Sequence, residues 1–142
     1  MDPENPVVKL CVAGMKAEGE NDFESARRQF ERAWEAASDD FERCIAAHYV
    51  ARHQPTPADA LSWNREAMRF AELVGDDRVS GFLPSLLLNL GQSYEALGDS
   101  EEAKRYYERA SAQAEALPID RYGNLVRDGA AAGRARVAEE EH

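Results

Sequence analysis

Cysteines and long apolar runs are scarce in this chain of 142 residues and basic residues are outnumbered by acidic ones, and each shortfall argues against a class of function. Lys and Arg number 17 against 27 Asp and Glu, which leaves a net charge of −10. That field repels phosphate backbones and anionic lipid, and no basic patch overrides it, so neither nucleic acid nor a membrane surface is expected as a partner. No apolar run approaches the ~18 residues of a membrane span. The opening MDPENP lacks the basic and apolar regions of a signal peptide, which makes the cytoplasm the expected compartment. Only two cysteines occur, Cys11 and Cys44, in separate segments; free thiols are expected rather than a disulfide framework. β-branched residues are thinly scattered and no hairpin turn separates alternating runs, so strands are not expected.

Catalytic signatures are missing as well. There is no Gly-rich phosphate or dinucleotide loop, no GxSxG elbow and no HExxH. A nucleic-acid methyltransferase would need a Rossmann-like sheet with a Gly-rich cofactor turn, and neither is legible. No enzyme activity and no cofactor is therefore expected. Cys44 and His48 stand four residues apart on one helix face, the spacing of a two-ligand metal half-site. The remaining histidines do not complete it, since His53 falls on another face and His142 at the tail. Packing is the preferred reading, and an enzyme or metal protein around Cys44 and His48 is kept as the remote alternative. Cys11 reads as a small buried hydrophobe. The acid pairs Asp39–Asp40 and Asp76–Asp77 precede predicted helices, where carboxylates favour the positive end of the dipole.

What the chain does have is dense helix punctuation. Asp22, Thr56 and Asp99 each stand just before an Ala-centred amphipathic stretch, as N-caps should. Pro57 follows at a first helical position, where its missing N–H costs nothing. Glu102 lies three residues after Asp99, a capping-box spacing, while Gly75 and Pro118 mark helix ends. Between these marks run seven helices, over roughly 6–19, 23–37, 39–53, 57–74, 77–97, 100–117 and 120–139. With apolar residues at 44% and charged ones at 31%, the chain has the make-up of one folded domain over 1–142.

One frame recurs. Asp99, Ala103, Tyr107 and Ala110 match Asp22, Ala26, Phe30 and Ala33, and again Thr56, Ala60, Asn64 and Ala67. Ala26 and Ala60 stand 34 residues apart, the period of a tetratricopeptide helix–turn–helix, and Leu90, Gly91 and Tyr94 fit that family's first-helix pattern. The chain thus resembles a small, bacterial-type, single-domain tetratricopeptide repeat protein. The resemblance implies an all-α, right-handed α-solenoid of three antiparallel helix pairs, with repeats over about 6–38, 39–74 and 77–117 and a C-terminal capping helix over 120–139. In such packing Gly91 and Ala103 are expected to meet, and Ala110 to admit the following helix.

Function follows by the same implication. The first helix of each pair lines a concave groove that holds a protein or peptide partner, which puts Met15, Ile45, Tyr49, Arg52, Leu88, Asn89, Gln92 and Glu95 towards it, with Val8 beside them. Tyr49 and Arg52 are the expected hot spots. The family's chaperone-tail binders grip a carboxylate with cations and Asn, but the matching places hold Cys11, Met15, Ala46, Ser85 and Asn89, none of them a cation. A non-catalytic interaction module is the reading. The alternative is a self-associating structural protein, a homodimer or larger homo-oligomer through the groove or the last helix.

Three departures carry expectations of their own. Asn64 stands where the family places an aromatic, and His48 where Gly14 and Gly91 stand in the other pairs, so a bulky ring should push those helices apart. Pro84 falls inside the extended fifth helix and disfavours helical geometry at Leu83, so a kink or a short separate turn is expected there. In the last helix Tyr122, Val126, Ala130, Gly133 and Val137 form a stripe able to cover a neighbour. Far-ultraviolet circular dichroism should therefore report a mostly helical protein; strand content near ~20–25% would overturn the reading.

Overall fold

Helices begin where a short polar side chain precedes an apolar-patterned stretch. Asn5 opens α1 (Pro6–Gly19), its Oδ1 accepting from the Val7 and Val8 amides at 2.8 and 3.2 Å. Asp22 accepts from Ser25 N to open α2 (Phe23–Ala36), and Asp39 from Glu42 N to open α3 (Asp40–Val50). A 3₁₀ turn, Ala51–His53, follows directly. Thr56 caps α4 (Pro57–Val74) through Asp59 N, with Pro57 in the first turn as expected. Each such cap is worth about 1 kcal/mol, because it satisfies an amide that the helix itself leaves without a partner. Gly75 ends α4 at φ 61°, a left-handed geometry that suits glycine.

The computed structural model describes residues 2–140, in which eight α-helices and no strand occur. The expected fifth helix is broken as its proline foretold. A four-residue turn of helix, α5 (Asp77–Ser80), precedes α6 (Leu83–Ala96), and Pro84 sits in the first turn of α6, where no amide donor is required. Then come α7 (Ser100–Ala114), capped by Asp99 through Glu102 N, and α8 (Arg121–Glu140). α7 stops short of the expected Leu117. The guanidinium of Arg127 donates to the Ala114, Leu117 and Pro118 carbonyls at 2.8, 3.2 and 2.9 Å, and so takes over the end of the helix.

The chain divides between Arg78 and Val79 into two compact units. In the first, α1 pairs with α2 and α3 with α4, and α3 also packs on α2. Phe30 is wholly buried over Gly14, so close that a Cβ placed on that glycine would lie 2.2 Å from the ring. Phe30 in turn stacks on Tyr49 at 5.2 Å and on His53 at 5.9 Å between centroids. Trp34 meets Trp63 edge-on at 5.0 Å. His48 and Asn64 occupy the register positions that glycine and an aromatic hold elsewhere. α3 and α4 pack side by side nonetheless, with Asn64 buried and His48 half-buried, its ring edge against Tyr49 at 5.0 Å.

In the second unit α6 pairs with α7, and α8 packs chiefly on α7 while also touching α6. The wholly buried ring of Tyr107 repeats the contact of Phe30. The atoms nearest a Cβ on Gly91 belong to that ring, at 2.7 Å, rather than to Ala103 as expected from the sequence. The same ring lies 2.4 Å from a Cβ placed on Gly133 of α8. Tyr107 therefore sits between two glycines of two different helices. Val126, Ala130, Gly133 and Val137 are buried as the stripe required, with Gly123 in place of the half-exposed Tyr122.

These contacts set an expectation for stability. Gly14→Ala and Gly91→Ala should each cost about 1–3 kcal/mol, since a methyl at either place must displace an aromatic ring in a filled core. Gly19→Ala, whose Cβ meets nothing within 4 Å, should not lower the midpoint of denaturant unfolding. Equal midpoints for all three variants would contradict the ring-over-glycine packing.

Candidate binding surfaces

In the first unit the surface residues gather at the C-terminal end of α3. Arg52 reaches from the 3₁₀ turn to α1, its NH2 3.1 Å from Glu18 Oε1, with the guanidinium 5.5 Å from the centroid of the Tyr49 ring. The other Glu18 oxygen lies 2.6 Å from His53 Nε2, so one carboxylate of α1 ties two of the three residues of the turn. Arg52 keeps 44% of its side chain exposed while Glu18 keeps only 15%. Tyr49 is half-buried, one face on Phe30, and burial raises its hydroxyl above the usual tyrosine range. Met15 is half-buried against the same aromatic core. Ile45 and Val8 are buried at 4% and 6% and present little to a visitor. The structure thus brings Met15, Tyr49 and Arg52 together around the Phe30 core, with Arg52 the outermost.

In the second unit the expected groove residues of α6 divide. Gln92 is exposed and Asn89 half-buried. Leu88 is buried beneath α8, where a Cβ on Gly129 would stand 3.1 Å from it. Glu95 is engaged by α8 as well. Its Oε2 accepts from Arg136 Nε at 2.8 Å, and its Oε1 from Arg136 NH2 at 3.1 Å and from the Tyr107 hydroxyl at 2.6 Å. The Arg136 hydrogen bonds hold the Glu95 carboxyl below its usual range, while burial and Glu95 raise the Tyr107 hydroxyl. At the other end of α8, Tyr122 donates to the Gly81 carbonyl at 2.7 Å and meets the Ser85 hydroxyl.

Sequence reasoning missed Glu18, His53 and Arg136 as members of these clusters. Glu95 and Arg136 lie 41 residues apart, and Glu18 and His53 35 apart, so no local period links either pair. The one available signal was an arginine following the glycines of α8 at helical spacing.

Cys44 is buried and His48 half-buried on α3. Burial pushes the Cys44 thiol up to about 11 and the Cys11 thiol up to about 12, so neither is a thiolate at neutral pH. Among the described residues no group of three or more His, Cys, Asp or Glu is placed to hold a metal ion; His142 lies outside them. Open depressions of about 410 and 330 Å³ run along α4 beside Arg65 and Arg69, and between α7 and α8 beside Lys104 and Arg134. No helix among the described residues is long and apolar enough to cross a membrane.

Residues 84–115, which are α6 and α7 with the turn between them, match the tetratricopeptide repeat family. That match spans 32 of the 142 residues, and the all-α architecture around it fits a tetratricopeptide-type helical repeat. No curated protein matches the chain. The matched hairpin is the one that carries Gly91 beneath Tyr107, and the α1–α2 hairpin makes the same contact with Gly14 and Phe30.

His48 supplies a pH prediction. Burial, reinforced by the Arg52 charge, pushes its imidazole down to about 4, against about 6.5 in an unfolded chain. The folded state therefore binds this proton less readily than the unfolded one. The His48 contribution is whole above about pH 6.5 and is lost as the pH falls from there towards 4. Melting temperatures of wild type and His48→Gln, followed from pH 7 to pH 4, should diverge least at the acid end; parallel curves would show that His48 does not resist protonation.

Proposed function

We propose that the chain is a non-catalytic protein-binding module whose partner is a polypeptide. The observation that carries this reading is the tetratricopeptide match over 84–115, since such repeats generally serve as protein-interaction scaffolds. Two features support it. The excess of acid disfavours nucleic acid and anionic lipid as partners. The exposed, polar groups of the first helices, Arg52 beside Tyr49 in one unit and Gln92 beside Asn89 in the other, suit the mixed apolar and hydrogen-bonding contacts of a peptide. Met15 lends an adaptable apolar flank to Tyr49. Ile45, Leu88 and Glu95 take a supporting part, because packing already occupies them.

Affinity capture from a native lysate with identification by mass spectrometry tests the proposal. Wild type should retain a protein partner, and the Tyr49→Ala, Arg52→Ala double variant should lose it while keeping its helical circular-dichroism signal. Retention by the double variant would move the binding surface away from the end of α3.

A further inference from the structure

The face that α6 and α7 present to α8 reads as a receptor for a helix. It offers the Leu88 side chain, the flat ring of Tyr107 and the Glu95 carboxylate in one line. α8 answers each in turn. Gly129 lies against Leu88, Gly133 lies against Tyr107, and Arg136 grips both Glu95 oxygens. A larger residue at Gly133 is barred by the ring at 2.4 Å, and Glu95, 17% exposed, demands a cation. The two parallel N–H bonds on two oxygens favour arginine over lysine, whose single ammonium cannot make that fork.

α8 is also a weakly built occupant. Glycines at 123, 129 and 133 offset the helicity its five alanines supply, and among the described residues the apolar side chains it buries are Val126, Ala130 and Val137. Segments with so little buried apolar surface open before the rest of a unit does. We propose that the α6–α7 face is a helix-binding site which α8 closes from within the chain, and that it admits a partner helix bearing two small residues four apart followed three positions later by an arginine. Charge decides the choice of occupant. When α8 leaves, Glu95 and the Tyr107 hydroxyl lose Arg136, and a helix without a cation would leave that carboxylate buried and uncompensated. This inference deepens the reading of the chain as a protein-binding module, yet it rests on the second unit alone.

The probe is a fluorescent peptide of residues 121–140, added to the full chain in its wild-type and Arg136→Ala forms. By anisotropy the peptide should bind the Arg136→Ala chain about tenfold or more tightly than wild type, because the internal competitor has lost a charged hydrogen-bonded pair. It should also raise the melting temperature of that variant. Peptides carrying Gly133→Leu or Arg136→Ala should bind at least about tenfold more weakly. Failure of the unaltered peptide to bind a folded Arg136→Ala chain, or equal binding by all three peptides, would overturn the proposal. Amide hydrogen exchange on the wild-type chain stands independently of the variants. α8 amides should exchange faster than those of α6 and α7, and identical protection across the three helices would show that α8 does not open on its own. Concentration-dependent dimers of wild type that dissolve on adding the peptide would make a second copy the occupant and overturn the assignment to a separate partner. Because Tyr49 and Arg52 are untouched, lysate capture that persists while the peptide fails would reject the receptor face and leave the module reading standing.

Discussion

An aromatic ring laid against bare helix backbone is the contact from which most of this structure follows. Two helices can approach closely only where no Cβ intervenes, and the gap so opened has to be filled by something flat and large. Phe30 on Gly14 and Tyr107 on Gly91 meet both conditions, and each ring is fully buried. Their further contacts differ. Phe30 passes its other face to Tyr49 and His53, an aromatic stack that joins α2 to α3 and its 3₁₀ turn. Tyr107 receives a second glycine, Gly133, so one ring gathers three helices. Its hydroxyl cannot be left dry, and Glu95 with Arg136 follows from that need.

The middle helix pair shows how far the rule bends. With His48 and Asn64 in the two positions there is no ring over glycine, and the pair is instead tied to its neighbour by indole contacts between α2 and α4. Trp34 packs against both Trp63 and Phe70, at 5.0 and 6.0 Å, and Arg69 covers the Phe70 ring at 4.3 Å. Aromatic pairs of this kind add about 0.5–1.5 kcal/mol beyond the area they bury. What distinguishes this pair is an imidazole at the glycine position, whose folded state resists protonation and so makes this packing sensitive to acid.

Packing engages several of the expected groove side chains in both units. Leu88 and Glu95 of α6 are taken up by α8. Arg52 lies on the corresponding end of α3 and is tethered by Glu18 without being hidden. The first unit thus exposes a cation held in place by a carboxylate, and the second covers a carboxylate with a cation of its own chain.

Helix starts were legible because a cap acts over three residues: Asp22, Thr56 and Asp99 do in the structure what their places in the sequence require. The repeat frame was legible for the same reason, since small and aromatic residues recur at fixed helical spacing. Pro84 announced the break before α6 because a proline constrains its immediate neighbour. Those local rules settled the helical class, the element order and the stripe of α8. They could not say that Tyr107 rather than Ala103 lies on Gly91, because both residues share one face of α7 and only the crossing of the two helices chooses between them. Nor could they show that Glu95 belongs to α8, or that Glu18 holds Arg52 and His53. Each of those pairings joins residues far apart in the chain, and a charge carries no record of its partner until folding brings the two within a few ångströms.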